Sequence, residues 1–117
     1  MPLYLHQWRY KDEPIRQMLE NKTPRDRADV VRTAVEAFGG TLHAFYYAFG
    51  EFDGVAISEF KDESTALGCV MLIYGQGRIQ LVRTTTLFSQ DATFEALAKA
   101  KVILDGPAPG TASAAIP

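Results

Sequence analysis

Two kinds of hydrophobic periodicity alternate along this chain, and their order constrains the fold more than any other feature. Alternation of apolar and polar residues is typical of strands, whereas apolar residues three and four positions apart are typical of amphipathic helices. Strand-like segments occupy 3–10, 41–49, 53–60 and 78–88, and helical segments occupy 12–22, 24–38, 62–74 and 91–104. The chain therefore combines helices and strands in an alternating order, which predicts an α+β protein.

Turn and capping residues mark the boundaries of these elements. Thr23 before Pro24 is typical of a helix start, and Gly39-Gly40 is typical of the end of that helix. The segment 50–52 separates two strand-like runs and predicts a hairpin. Strand, helix, hairpin, helix, strand is the split βαββαβ order, so we predict a ferredoxin-like fold with an antiparallel sheet and an extra C-terminal helix. In this fold strands one and three lie in the middle of the sheet.

The composition bounds the class of protein. A length of 117 residues fits one domain, which we expect to span 1–104, followed by a Gly-, Pro- and Ala-rich tail at 105–117. Twelve Lys and Arg against fourteen Asp and Glu give a net charge of -2, which argues against nucleic acid as a partner. No apolar run reaches the roughly 20 residues of a membrane helix. The lone Cys69 and the absence of a secretory leader pattern predict a cytoplasmic protein.

The two helices of such a fold cover one face of the sheet, so the other face is open. A turn centred on 51–52 pairs Tyr47 with Ala56 and sorts the strand residues into two sets. The set with fewer aromatic residues includes Leu42, Ala44 and Glu59, and we expect it under the helices. We expect Glu59 to bond to Arg83 or to a helix residue. We expect the more aromatic set on the open face: Tyr4, His6, Trp8, Tyr10, His43, Phe45, Tyr47, Phe49 and Phe60.

An exposed aromatic face of this size is typical of an interface or a ligand groove. We therefore predict a homodimer or a higher homo-oligomer, in which two sheets pack face to face as a dimeric α+β barrel. Small residues on the central strand, including Ser58, leave room for a ligand between the sheets. The predicted cavity residues are Trp8, Tyr10, Phe45, Tyr47 and Ser58.

The titratable residues offer weaker candidates for chemistry. His6 and His43 are candidate general bases, because imidazole titrates near neutral pH. Each histidine has an alternative role in hydrogen bonding at an interface or at the surface. Asp53 follows the hairpin turn, where aspartate commonly accepts bonds from backbone amides. Cys69 lies in an apolar helical segment and is predicted to pack there as an inert side chain.

The sequence does not predict a metal site within one subunit. It contains two histidines and one cysteine, without HxH, CxxC or HExxH spacing. The predicted sheet order puts one strand between the two histidines, which separates their backbones by about 10 Å. We accordingly predict no metal and no cofactor.

The chain resembles the GYD domain family, a branch of the dimeric α+β barrel superfamily. The matching segments are 12–16, 24–25, 39–40, 45–46, 50–53, 55–59, 62–63 and 82–87, and the likeness covers about 4–94. The signature reads Gly50, Glu51, Phe52, Asp53, with Phe52 in place of tyrosine, and Pro14 stands where glycine is usual. The resemblance implies a ferredoxin-like dimer, but the family has no settled activity. Its superfamily includes cofactor-independent monooxygenases, muconolactone isomerases, haem-degrading enzymes and binding proteins.

Three functions stay open at this point. The first is the binding of a small, partly aromatic molecule between two sheets. The second is a cofactor-independent monooxygenase or isomerase acting on an aromatic or polyketide-like substrate. In that enzyme His43 or His6 would remove a proton while Trp8 and Tyr47 hold the ring. The third is a purely structural oligomer, whose aromatic face is all interface.

Overall fold

The computed structural model describes residues 1–20 and 27–106. Its elements in chain order are β1 Leu3–Tyr10, α1 Asp12–Glu20, α2 Arg27–Ala37, β2 Thr41–Tyr47, β3 Gly54–Glu59, α3 Glu63–Gly75, β4 Ile79–Leu87 and α4 Gln90–Leu104. This order confirms the predicted α+β architecture. The predicted helix start at Thr23-Pro24 and the tail beyond residue 106 lie outside the described residues.

The chain divides into two compact units. The first is Met1–Leu87 and holds the four strands with α1, α2 and α3. The second begins at Phe88 and contains α4. Within α4, the Ser89 side chain accepts a hydrogen bond from the backbone N–H of Ala92 and caps the first turn.

The sheet has the order β2-β3-β1-β4, with antiparallel pairing throughout. The first and third strands are therefore central, as the ferredoxin-like fold predicts. Strand β1 lies between β3 and β4, and its residue His6 lies opposite both Ala56 and Thr84. Because directly opposed residues point to the same face, β1 determines which residues of its two neighbours share a face.

The hairpin register differs from the predicted one by two residues. Tyr47 lies opposite Gly54, and Phe45 lies opposite Ala56. A shift of two residues keeps every side chain on the same face, so the two predicted sets survive it. A β-bulge between Leu42 and Ala44 adds one unpaired residue to β2, which reverses the alternation of its side chains at that point. Leu42 therefore lies on the same face as Phe45 and Ala56.

Helices α2 and α3 cover the face that carries the aromatic set. One buried cluster joins Tyr4 and Phe60 of the sheet region to Val35 of α2 and to Ala66 and Cys69 of α3. A second buried cluster consists of Trp8, Tyr10, Ala56 and Ile79. We call this side of the sheet the covered face.

The other side, the open face, is not covered by any described helix of the first unit. Its residues are Leu3, Leu5, Gln7, Arg9, Ala44, Tyr46, Val55, Ile57, Glu59, Leu81, Arg83, Thr85 and Leu87. The prediction that the aromatic set lies on the open face is therefore wrong for Tyr4, His6, Trp8, Tyr10, Phe45, Tyr47 and Phe60. It is also wrong that Ala44 and Glu59 lie under the helices.

The physical reason for this reversal is the size of aromatic side chains. Strand alternation separates two sets of residues but does not say which set the helices cover. Each aromatic side chain removes about 150–250 Å² from water when it is buried, more than a leucine does. The covered face therefore takes Tyr4, Trp8 and Tyr10, and it leaves Leu3 and Leu5 half-buried on the open face.

Gly54 makes room for the Trp8 indole on the covered face, at the last pair of β1 with β3. The two residues lie opposite each other on β1 and β3, and both are buried. A Cβ atom at residue 54 would overlap Cζ2 of the indole and lie 2.5 Å from Cε2. A ring system cannot bend away as a flexible chain does, so any side chain at residue 54 must displace Trp8.

We expect Gly54→Ala to lower the free energy of unfolding by about 1–3 kcal/mol, the usual cost of overpacking a core. Gly50→Ala is the matched control, since a Cβ there meets nothing within 4 Å. Urea unfolding followed by Trp8 fluorescence measures both effects. Equal stability of the two variants would contradict the packing described for Trp8.

Candidate functional site

A cavity of about 410 Å³ lies within the first unit, between the covered face and helices α2 and α3. This volume is in the range of cavities that hold small organic ligands. Trp8 and Ala56 line it from the sheet, Val31 and Ala34 from α2, and Ile73 from α3. Most of its other lining side chains are also apolar, so the cavity suits an apolar molecule.

Two of the five predicted cavity residues line this space, and the other three do not. Trp8 and Tyr10 line the cavity directly. Phe45 lies behind them, with its ring centroid 5.4 Å from that of Trp8 and 5.2 Å from that of Tyr47. The Tyr47 hydroxyl accepts a hydrogen bond of 3.2 Å from the backbone N–H of Arg27 at the start of α2. Ser58 is fully buried within the sheet.

The location of these residues corrects the sequence-based prediction. The cavity was predicted between the sheets of two subunits, on the open face, but these side chains lie on the covered face of the sheet. The error follows from the reversed faces of the sheet. Their role in binding a ligand stays a prediction.

His6 lines the cavity, and both of its ring nitrogens are occupied. Nε2 lies 2.6 Å from the Ser58 hydroxyl, and Nδ1 lies 3.0 Å from the Thr84 hydroxyl. Burial lowers the pKa of His6 to about 4, so the imidazole is neutral at pH 7. A neutral imidazole donates from one nitrogen and accepts at the other. To act as a base toward a ligand, His6 must first give up the bond in which it accepts.

His43 lies on the opposite side of the sheet from the cavity. It occupies the bulge of β2, and its Nε2 lies 2.8 Å from Oε1 of Glu59 on the open face. The structure therefore does not bring His43 together with Trp8 and Tyr47. The expected contact of Glu59 with Arg83 or a helix residue is also wrong: Glu59 bonds to His43, and the Arg83 guanidinium instead lies 4.0 Å from the Glu51 carboxylate.

The predicted motif at 50–53 lies in the turn between β2 and β3, and Asp53 links this turn to strand β1. The Asp53 carboxylate accepts a 2.9 Å hydrogen bond from the backbone N–H of Tyr10, and the Asp53 N–H donates to the Trp8 carbonyl at 2.8 Å. Phe52 is buried, and the Arg83 guanidinium lies 5.2 Å from its ring centroid. Asp53 thus bonds a backbone amide, as predicted, and extends the contact of β1 with β3 beyond the last paired residues.

The remaining reactive groups do not form a further site in the described ranges. Cys69 is buried between α3 and the sheet, and burial raises the pKa of its thiol to about 11. Across residues 1–20 and 27–106, no three His, Cys, Asp or Glu side chains lie close enough together to hold a metal ion. None of the helices in those ranges has the length and apolar character needed to cross a membrane.

The two arginines among the cavity residues, Arg27 and Arg78, were missed in the sequence analysis. Arg78 directly precedes β4, whose first residue Ile79 lies opposite Tyr10. Arg27 is the first described residue of α2. The sequence signal that could have identified them is their position at the start of α2 and of β4, two elements that begin near Tyr10. That signal is informative only when the face carrying Tyr10 is known to be the covered one.

The fold and the cavity define the class of this protein. It is an α+β domain of ferredoxin-like topology, with a mainly apolar cavity between its sheet and two helices that Trp8 and Tyr10 line from the sheet. The model of the GYD domain family matches residues 4–97, so the chain belongs to the GYD domain family. No protein of curated function matches the chain significantly.

The low pKa of His6 predicts a specific loss of stability in acid. Between pH 6.5 and 4 the unfolded chain binds a proton at residue 6 that the folded chain does not, so stability falls as the pH falls. We expect His6→Gln to reduce this loss by about 1–3 kcal/mol between pH 7 and 4.5. Urea unfolding at both pH values measures the difference.

His43→Gln is the control for this experiment, because it leaves His6 and its two hydroxyl partners intact. The His43→Gln variant should still show the part of the stability loss in acid that comes from His6. An unchanged pH dependence in His6→Gln would show that His6 is not neutralised by burial.

Proposed function

We propose that this protein binds a small, partly aromatic molecule in the cavity beneath α2 and α3. The observation that carries the proposal is the 410 Å³ space lined mainly by apolar side chains, with Trp8 and Tyr10 at one side. The two rings meet nearly edge to face, with centroids 6.4 Å apart and planes at 77°. Such an arrangement offers both a ring face and a ring edge to a flat ligand.

The state of the reactive groups supports binding over catalysis. The imidazole of His6 already has a hydroxyl partner at each nitrogen. The raised pKa of Cys69 keeps its sulfur protonated, and thus weakly nucleophilic, at neutral pH. Burial also raises the pKa of Tyr10, so its hydroxyl stays neutral as well. These groups suit hydrogen bonding and packing against a ligand better than proton removal.

The binding proposal predicts that partly filling the cavity weakens the binding of an aromatic probe. Ala34→Leu adds three carbon atoms on the cavity side of α2, so we expect the affinity for 1-anilinonaphthalene-8-sulfonate to fall about tenfold or more. Fluorescence titration of the dye measures this affinity. Ala98→Leu is the control, because it makes the same change on an exposed position of α4.

The two variants separate cavity binding from adsorption to the surface. Dye that binds exposed apolar residues should bind Ala34→Leu and Ala98→Leu equally. That result would contradict the proposal. Native mass spectrometry of the purified protein gives an independent reading, since a retained molecule adds mass to the 12.9 kDa chain.

We also propose that a second copy of the chain covers the open face, as in a dimeric α+β barrel. Leu3, Leu5, Val55 and Ile57 form a half-buried aliphatic centre on that face. Polar groups, including the pair His43–Glu59, lie toward its edge. An apolar centre with a polar border is typical of protein interfaces. The support for a homodimer is therefore an aliphatic face, where the sequence analysis expected an aromatic one.

The homodimer predicts that a charge at the centre of the open face separates the subunits. Ile57→Arg places an unpaired guanidinium there, and we expect a shift from dimer to monomer in light scattering after gel filtration. Glu36→Arg, an exposed change on α2, should leave the dimer intact. A wild-type chain that runs as a 12.9 kDa monomer would contradict this proposal.

A reducing compartment such as the cytoplasm is the proposed location. The support is the single cysteine, which is a buried free thiol in α3. Such a chain does not depend on an intrachain disulfide for its stability.

A further inference from the structure

The charged side chains that line the cavity within residues 1–20 and 27–106 are both arginines. Arg27 and Arg78 line it, and its lining includes no Asp and no Glu within the described residues. Neither guanidinium lies within 4.0 Å of a carboxylate in residues 1–20 and 27–106. Arg27 is half-buried, so its charge gains more from a partner of opposite sign than it would in open solvent, whereas Arg78 is exposed to solvent.

Both arginines lie at the same end of the cavity, next to Tyr10. The backbone carbonyl of Arg78 accepts a 3.0 Å hydrogen bond from Lys11, the residue after Tyr10. The backbone N–H of Arg27 donates to Tyr47, on the strand beside Gly54. Burial raises the pKa of the Tyr10 hydroxyl, and the charge of Arg27 and a side-chain hydrogen bond between Arg27 and Tyr10 act in the opposite direction.

We infer that the molecule bound in this cavity is an organic carboxylate, with its carboxylate at Arg27 and Arg78 and its apolar body against Trp8. This inference rests on the proposed function and names the chemical class of the ligand. The planar guanidinium matches a carboxylate through two parallel hydrogen bonds, which a lysine ammonium cannot provide. The Gln76 side chain, which also lines the cavity, adds a neutral donor.

One feature of the same region acts against an anion, but it is weaker than the arginines. The carboxyl end of α3 lies beside the cavity, since Ile73 and Gln76 both line it. Helix carbonyls there carry the equivalent of about half a negative charge. Two full positive charges exceed this, so the Tyr10 end of the cavity remains attractive to an anion.

The test compares two probes that differ only in charge. Naphthalene-2-carboxylate and naphthalene-2-carboxamide have the same ring system and nearly the same shape. Isothermal titration calorimetry at low salt should show that the wild type binds the carboxylate about tenfold more tightly than the amide. The advantage should shrink in about 0.5 M sodium chloride, because dissolved ions screen the attraction between the arginines and the carboxylate.

Arg78→Gln is the principal variant, because Arg78 is exposed and its replacement is compatible with folding. It should reduce the preference for the carboxylate about threefold or more while leaving the affinity for the amide nearly unchanged. Arg78→Lys should restore part of the preference. Arg27→Gln should act in the same direction, and Arg83→Gln is the control, since Arg83 lies on the open face.

The outcomes distinguish this inference from the proposal on which it rests. Equal binding of both probes by the wild type would overturn the carboxylate assignment and leave the binding cavity in place. A carboxylate preference that survives in both Arg78→Gln and Arg27→Gln would also overturn it. Failure of the wild type to bind either probe would overturn the cavity proposal and this inference together.

Discussion

The packing of Trp8 over Gly54 is the interaction on which the rest of the structure depends. It requires a residue without a side chain opposite Trp8 on β3, and it places the indole under the helices. Tyr4, His6 and Tyr10 follow Trp8 onto the same side, because strand residues two apart share a face. The covered face, the hydrogen bonds of His6 and one wall of the cavity therefore all result from the orientation of this one strand.

Much of the fold was predictable from the sequence. The apolar periodicities predicted the order of strands and helices, and that order was sufficient for the sheet arrangement with β1 and β3 in the middle. The choice of covered face was not predictable from alternation, because exchanging the two faces leaves the pattern unchanged. The bulge at His43 was also missed, since neither glycine nor proline marks it in the sequence.

The candidate site was predicted only in part, because the sequence did not show which face of the sheet the helices cover. Trp8 and Tyr10 were identified as cavity residues because aromatic residues at every second position indicate one continuous surface. Their partners in α2 and α3 could not be identified, since the predicted cavity faced away from both helices. Arg27, at the start of α2, and Arg78, directly before β4, were missed for the same reason. A side chain beside an element boundary gains a role only through the neighbours that the tertiary structure places around it.

The bulge in β2 has a consequence for how the sheet can grow. Strand β2 is an outer strand, so the N–H and C=O groups along its outer side are not used by another described strand. An added strand needs a regular spacing of these groups, and the bulge between Leu42 and Ala44 interrupts it. Only the short stretch from Ala44 to Tyr47 keeps a regular geometry. This edge is therefore a poor template for joining sheets side by side, which protects the chain from edge-to-edge aggregation.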